Sequence, residues 1–195
     1  MNAPIKNADS IWRDAVKIIQ SHYKNEFFNS INNIVDILFD CFTKNGRLLV
    51  FGNGGSAADA QHICGELVGR FQKERSPLDA LALTTNTSVL TAWANDYDYH
   101  TVFSRQIEAY GRPGDVAWGI STSGNSGNVV QGLKKAKEIG LFTVGLLGGG
   151  GGQCIKYCDV SLVVDSKDTP RIQEIHLISY HIICALLEER IFQND

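Results

Sequence analysis

The chain has 195 residues, 44% of them hydrophobic and 20% charged, the proportions of an ordinary globular protein with enough length for one full core. A net charge of −3 offers no basic footprint for nucleic acid or for an anionic membrane surface. No apolar run reaches the roughly 18 residues of a membrane span, and the polar start MNAPIKNADSIWRDAVKIIQ lacks the apolar segment of a secretion signal, so a cytoplasmic protein is expected.

From Ser10 to Lys44 apolar residues recur at helical spacing: Ile11, Ala15, Ile18 and Ile19, then Phe27, Ile31, Ile34, Val35, Leu38 and Phe42. This predicts two helices, or one bent helix, ended by Asn45-Gly46. Strands and helices then alternate. Arg47–Gly52 reads as a strand and Ser56–Phe71 as a helix. Leu78–Thr84 reads as a strand, followed by a helical turn over Ser88–Asn95 and a helix over Thr101–Tyr110. Asp115–Thr122 is a third strand, with a helix over Ser126–Ile139, and Phe142–Gly148 is a fourth, with a short helix near Gln153–Tyr157. Val160–Asp165 is a fifth strand, and a long helix over Pro170–Phe192 closes the chain. Continuous apolar strands separated by helices predict an α/β fold, a five-stranded parallel sheet flanked by helices. The expected organisation is one domain over residues 1–195, with N-terminal helices over 1–45 and the α/β core over 46–195.

The cysteines (Cys41, Cys64, Cys154, Cys158 and Cys184) are odd in number and follow neither a disulfide framework nor a Cys-x-x-Cys knuckle. They read as reduced, mostly buried thiols. The run Gly148–Gly152 lies between a strand and a helix and reads as a flexible connecting loop.

Ligands of parallel sheets bind beyond the carboxyl ends of the strands. Two loops there are suited to an anion. GNGGS follows the first strand and STSGNS the third, and both run into helices with Ser56 and Ser126 placed as N-caps. Helix starts offer free N–H groups and a positive dipole end, and Ser121, Thr122, Ser123 and Ser126 add hydroxyls, making a neutral phosphate cradle. Gly52-x-Gly54-x-x-Ala57 also fits a dinucleotide fingerprint, but strand two ends in Thr84-Thr85-Asn86 with no acid for the ribose, and no Gly-Lys-Ser/Thr completes a P-loop. No nucleotide cofactor is expected.

His62 and Glu66 are four residues apart and share a helix face. Glu66 sits among Ile63, Cys64, Leu67 and Val68, surroundings that favour a proton-transfer role. The last helix carries Gln173, His176 and His181 among its isoleucines and leucines. A lone histidine on such a helix is usually a hydrogen-bonded core residue, but imidazole, carboxylate and amide oxygen from two helices could surround a divalent ion such as zinc, with His62, Glu66, Gln173 and His181 as potential ligands. Spacing alone does not bring the two helices together.

Four segments, GNGGSAADAQH with the following GEL and GR, ANDY, GISTSGNS, and DTPRIQEIH with the following YH, resemble in order those of the phosphoheptose isomerases of the sugar isomerase (SIS) fold, over nearly the whole chain. The resemblance implies a homotetramer with active sites between subunits. It implies conversion of sedoheptulose 7-phosphate to D-glycero-D-manno-heptose 7-phosphate, which supplies heptose for bacterial surface polysaccharide such as the lipopolysaccharide core. It implies one zinc per subunit on His62, Glu66, Gln173 and His181, with Glu66 and His181 as the catalytic pair. By the same resemblance Asn53, Gly54, Gly55, Asn95, Asp96, Ser121, Thr122, Ser123, Ser126 and Gln173 contact substrate; the chemistry further places Glu66 at the reacting carbons and the phosphate on Ser121–Ser126 with Ser56 nearby. Asp96 alternatively caps the segment that follows it. Two rival readings stand beside this one. The first is a non-catalytic SIS protein that binds a replication initiator, which would have no need of Glu66 and His181. The second is an isomerase of another phosphosugar, since the loops do not count carbons.

Overall fold

The five apolar runs are the strands β1 (Leu48–Phe51), β2 (Ala80–Ala82), β3 (Val116–Ser121), β4 (Phe142–Leu147) and β5 (Val160–Val163) of a computed structural model that describes residues 7–193. All neighbours are parallel, in the order β2-β1-β3-β4-β5. The expected span 1–195 therefore extends beyond the described residues at both ends. The strands are apolar throughout because both sheet faces are covered. Leu48, Val50, Val116, Trp118 and Ile120 face one core, and Leu49, Phe51 and Ala117 face the other. β2 is shorter than expected: Leu83 still donates to Val50 C=O, but the Thr85 hydroxyl turns back to Ala82 C=O and the chain leaves the sheet.

The helices are α1 (Ala8–Ser21), α2 (Asn25–Thr43), α3 (Gly55–Val68), α4 (Thr87–Asp96), α5 (Val102–Tyr110), α6 (Gly127–Glu138) and α7 (Thr169–Ile191). Residues of α2, α3 and α7 pack in the first core, those of α5 and α6 in the second. The segment Cys154–Tyr157 is a tight 3-10 turn. All five cysteines are free thiols, and burial pushes Cys64 and Cys184 up to about 12. The N-terminal periodicity does make helices, but α1 buries none of its residues. Ile11, Trp12, Val16 and Ile19 stay exposed, Trp12 by 73%.

α3 stops at Val68, short of the expected Phe71, because the next N–H groups have another acceptor. The Glu188 carboxylate on α7 accepts from the N–H groups of Phe71 (3.2 Å), Gln72 (2.8 Å) and Lys73 (3.0 Å) and from Arg75 Nε (2.9 Å). Arg75 also donates to the carbonyls of Glu66 (2.7 Å) and Leu67 (2.8 Å). The pair is buried, with side-chain exposures of 1% and 3%. Burial alone would raise the Glu188 carboxyl, but the backbone N–H bonds and Arg75 outweigh it and hold it below its ordinary value.

His176 corrects an expectation. It is fully buried, yet neither ring nitrogen has a hydrogen-bond partner. Burial pushes its pKa down to about 4, and the nearby Leu147 carbonyl, outside hydrogen-bond geometry, opposes this only in part.

Two outcomes are expected. Arg75→Ala leaves the Glu188 charge buried without its cation and lowers stability by about 3–5 kcal/mol, read from the urea midpoint; an unchanged midpoint removes the pair from this role. His176 folds neutral, so between pH 6.5 and about 4 the unfolded chain takes up a proton that the folded chain does not. Stability from this group is complete above that window and falls through it as pH drops, by up to about 3 kcal/mol. Urea titrations at stepped pH should show a flatter acid limb for His176→Leu, and parallel limbs would acquit the residue.

Candidate active site

The chain leaves β1 for β2 on one side and later returns to β3 on the other, so the carboxyl ends of β1 and β3 flank a crevice where the strand order reverses. The loops after these strands are tied by one reciprocal contact. Asn53 Nδ2 donates to Asn128 Oδ1 and Asn128 Nδ2 donates to Asn53 Oδ1, both at 2.8 Å. The Tyr99 hydroxyl adds a bond to Asn53 Oδ1 at 3.3 Å. The Asn53 side chain is therefore committed to holding the loops together. Asn128 and Tyr99 went unrecognised in the sequence, where a single asparagine in the first turn of a helix and a tyrosine after ANDY carry no signal.

The expected N-caps shift. α3 begins at Gly55 with Gly54 as its N-cap, since Ala57 and Ala58 donate to Gly54 C=O. Ser56 consequently lies inside the first turn and is buried. Ser126 does occupy the N-cap of α6, but its hydroxyl makes no capping bond; it lies 3.0 Å from Ser121 Oγ, which is 3.5 Å from Ser123 Oγ. Thr122 is half-buried and Ser123 exposed. The first N–H groups of α6 lack intrahelical acceptors, so hydroxyls and free amides converge on the crevice.

The glycine run is not the flexible connector expected of it. Cys154 N–H donates to Gly124 C=O (2.9 Å), Gln153 N–H to Asn125 Oδ1 (3.0 Å) and Gly148 N–H to Ser121 C=O (3.1 Å), which fasten the run to the serine loop. Backbone lies on backbone: a Cβ on Gly124, whose φ is +66°, would stand 2.3 Å from the carbonyl carbon of Gly151.

The second half of the site lies on α3 and α7. His62 Nε2 is 2.9 Å from Glu66 Oε1 and 3.5 Å from His181 Nε2. One ligand atom from each of the three lies within 4.8 Å of the others. His62 is exposed and Glu66 and His181 are half-buried, so the cluster is reachable from solvent. Burial, reinforced by His62, holds the His181 imidazole below its ordinary value, with Glu66 opposing. Two imidazoles and a carboxylate this close are a donor set that suits a zinc-like divalent ion with a coordination position left open. Gln173 sits elsewhere in this structure: its amide rests against Gly55, with Nε2 2.2 Å from where a Cβ would be. Gly55 itself is about 10 Å along α3 from His62 by backbone rise. Asn95 and Asp96 end α4, exposed, with Asn95 Nδ2 donating to Asp96 Oδ1 at 2.8 Å. The following turn is capped by Asp98, whose carboxylate accepts from His100 N–H, so Asp96 is not the cap.

A parallel sheet with a donor-rich crevice at its reversal point is an architecture many α/β families share, and here the family described as SIS domain matches residues 11–148. Phosphoheptose isomerase of Clostridium acetobutylicum is 50% identical over 167 residues, 86% of this chain and 85% of that one. Among solved structures, phosphoheptose isomerase from Neisseria gonorrhoeae superposes with a TM-score of 0.88 at 38% identity, covering 93% of this chain and 96% of that one. The one from Francisella tularensis gives 0.89 at 30% identity with the same coverage. The chain belongs to the SIS domain family and, within it, to the phosphoheptose isomerases, which are aldose–ketose isomerases.

Gly124→Ala should lower stability by about 1–3 kcal/mol through its positive φ alone, and by more where Gly151 must move. Gly65→Ala, mid-helix with open space around a new Cβ, should instead gain up to about 1 kcal/mol. Urea unfolding of both variants checks the contrast, and equal midpoints would mean that the serine loop and the glycine run are not held in register.

Proposed function

We propose that this chain interconverts sedoheptulose 7-phosphate and D-glycero-D-manno-heptose 7-phosphate through an enediol. The observation that carries the reading is that α7 delivers His181 to the His62–Glu66 face of α3, the helix that rises from the glycine turn after β1. The phosphate is taken by Ser121, Thr122, Ser123 and Ser126 with the free N–H groups of α6. Gly54, Gly55 and Gln173 border the sugar, Asn53 shapes that border and Ser56 backs it, while Asn95 and Asp96 meet its hydroxyls.

Isomerisation shifts a proton between C1 and C2 and moves another between their oxygens, with no external oxidant or nucleotide. Glu66 takes the proton from C1 of the ketose, and the electron pair of that C–H bond forms the C1–C2 double bond of the enediol as the carbonyl oxygen gains a proton. Glu66 then returns its proton to C2, and the O1 proton leaves as the aldehyde forms. His62 engages Glu66 Oε1, which leaves Oε2 for this transfer. The His181 imidazole, held below its ordinary pKa, is available neutral to relay protons at the oxygens or to assist ring opening. The three clustered side chains would hold zinc, one ion per subunit, with Gln173 as a fourth ligand once its amide turns from Gly55. When bound there, the ion would supply Lewis-acid polarisation of the substrate carbonyl.

The same reading extends to one SIS domain acting as a unit, cytoplasmic and homotetrameric, whose product feeds bacterial heptose polysaccharide. Support for self-association comes from the uncovered apolar side chains of α1 together with Leu177 and Ile178 of α7. No helix of the described residues is long and apolar enough to cross a membrane.

Incubation with sedoheptulose 7-phosphate, followed by NMR, should reveal a new aldose phosphate, and its absence would sink the activity. Glu66→Gln and His181→Ala should each lose at least about 100-fold in kcat. Near-normal turnover in either would withdraw that residue's role, and a parallel run with a chelator reads the contribution of metal.

A further inference from the structure

Behind His62 stand two side chains that the reaction leaves unused. Tyr180, fully buried on α7, places its hydroxyl 2.9 Å from His62 Nδ1 and 3.4 Å from Asp59 Oδ1. Asp59 lies one helical turn before His62 on α3, and its second oxygen is buried with no partner. The Tyr180 and His62 rings meet edge to face, with centroids 5.3 Å apart and planes at 74°. His62 itself is exposed, so packing alone does not fix its ring, whereas Tyr180 is clamped by the core around it.

The direction of these bonds follows from counting hydrogens. A phenol has one proton to give, and the Asp59 carboxylate can only accept. If the hydroxyl donates to Asp59, it is left to accept from His62, and Nδ1 must then carry the hydrogen. In the metal-free site Nε2 needs a hydrogen to bond the Glu66 carboxylate 2.9 Å away; a cation bound beside Glu66 and His181 takes the Nε2 lone pair instead, and the one hydrogen of the neutral ring then belongs on Nδ1. The reverse direction serves the metal-free Nε2–Glu66 bond but leaves Asp59 Oδ1 facing an oxygen with no hydrogen to offer, beside an Oδ2 that already has none, so a cation on Nε2 and the Tyr180–Asp59 bond favour the same tautomer. A ligating histidine whose other nitrogen donates to an oxygen acceptor is oriented and held in one tautomer.

We propose that Asp59 and Tyr180 are positioning residues that act through His62, holding its Nδ1–H so that Nε2 is presented to a divalent cation shared with Glu66 and His181. This rests on the metal reading of that cluster. The carboxylate orients the hydroxyl and the hydroxyl orients the imidazole, so their effects lie in series.

The test uses cobalt(II) as probe, titrated into the metal-free full-length protein by visible absorption and by competition with a chromophoric chelator. Tyr180→Phe keeps the buried ring and removes only the hydroxyl. It should weaken cobalt binding about 10–100-fold and alter the ligand-field bands, while the melting temperature of the metal-free protein barely moves. Asp59→Asn should weaken binding by a smaller factor, and Tyr180→Phe/Asp59→Asn should be no weaker than Tyr180→Phe alone. Wild-type affinity and spectrum in Tyr180→Phe overturn the inference, and additive losses in the double variant overturn the series arrangement. If Tyr180→Phe does not fold, unchanged affinity in Asp59→Asn overturns it instead. A wild-type protein that takes up no cobalt removes the metal reading and this inference together, an outcome distinct from failure of isomerase turnover, which is assayed separately.

Discussion

The site depends on one carboxylate that lies outside it. Glu188 gathers the backbone N–H groups that follow α3 and the Arg75 guanidinium, and Arg75 in turn grips the carbonyls of Glu66 and Leu67. These bonds anchor the carboxyl end of α3 to α7. His181 lies two helical turns before Glu188 on the same helix, so the anchor sets which face of α3 it meets. A buried ion pair is often a weak source of net stability, because desolvation consumes most of its attraction. Here its value is geometric: three N–H groups and a guanidinium leave the carboxylate a single orientation, and the helices a single register.

The other half of the site is organised by backbone. Between β1 and β3 the asparagine pair fixes the distance across the crevice, and the serine loop is backed by main chain from the glycine run. Neutral donors suit a phosphate, since N–H and hydroxyl groups hold an anion without burying a countercharge beside it. The clustered imidazoles and carboxylate on α3 and α7 lie on separate elements from the serine loop and the start of α6, to which the proposed function assigns the phosphate. One end of a sugar phosphate can thus be gripped by fixed dipoles while the other meets groups that exchange protons.

The sheet was legible because strands buried on both faces must be apolar at every position, and each such run ends in a turn signal. His62, Glu66 and His181 were legible because helical spacing places imidazole and carboxylate on shared faces, and because the flanking motifs resemble those of known isomerases. What escaped were partners that local pattern cannot supply. Arg75 and Glu188 are 113 residues apart, and Tyr180 reads as one more core aromatic until the fold sets it against His62. Ser56 was misplaced by two positions because backbone donors choose the Gly54 carbonyl over a hydroxyl cap. α1 was read correctly as a helix, but that its apolar side chains stay uncovered was not legible, since periodicity announces an apolar face and not what lies against it.

The glycine run has a consequence at the level of the gene. Any codon change that replaces one of its five residues adds at least a β-carbon, so substitution there can only insert atoms and never trim them. Four of the five positions would meet existing atoms at 2.3 to 2.9 Å, and Gly150, with open space around it, holds a φ of +74° that L side chains rarely adopt. The stretch is thus informative through what it lacks, and missense drift has no conservative direction in which to move.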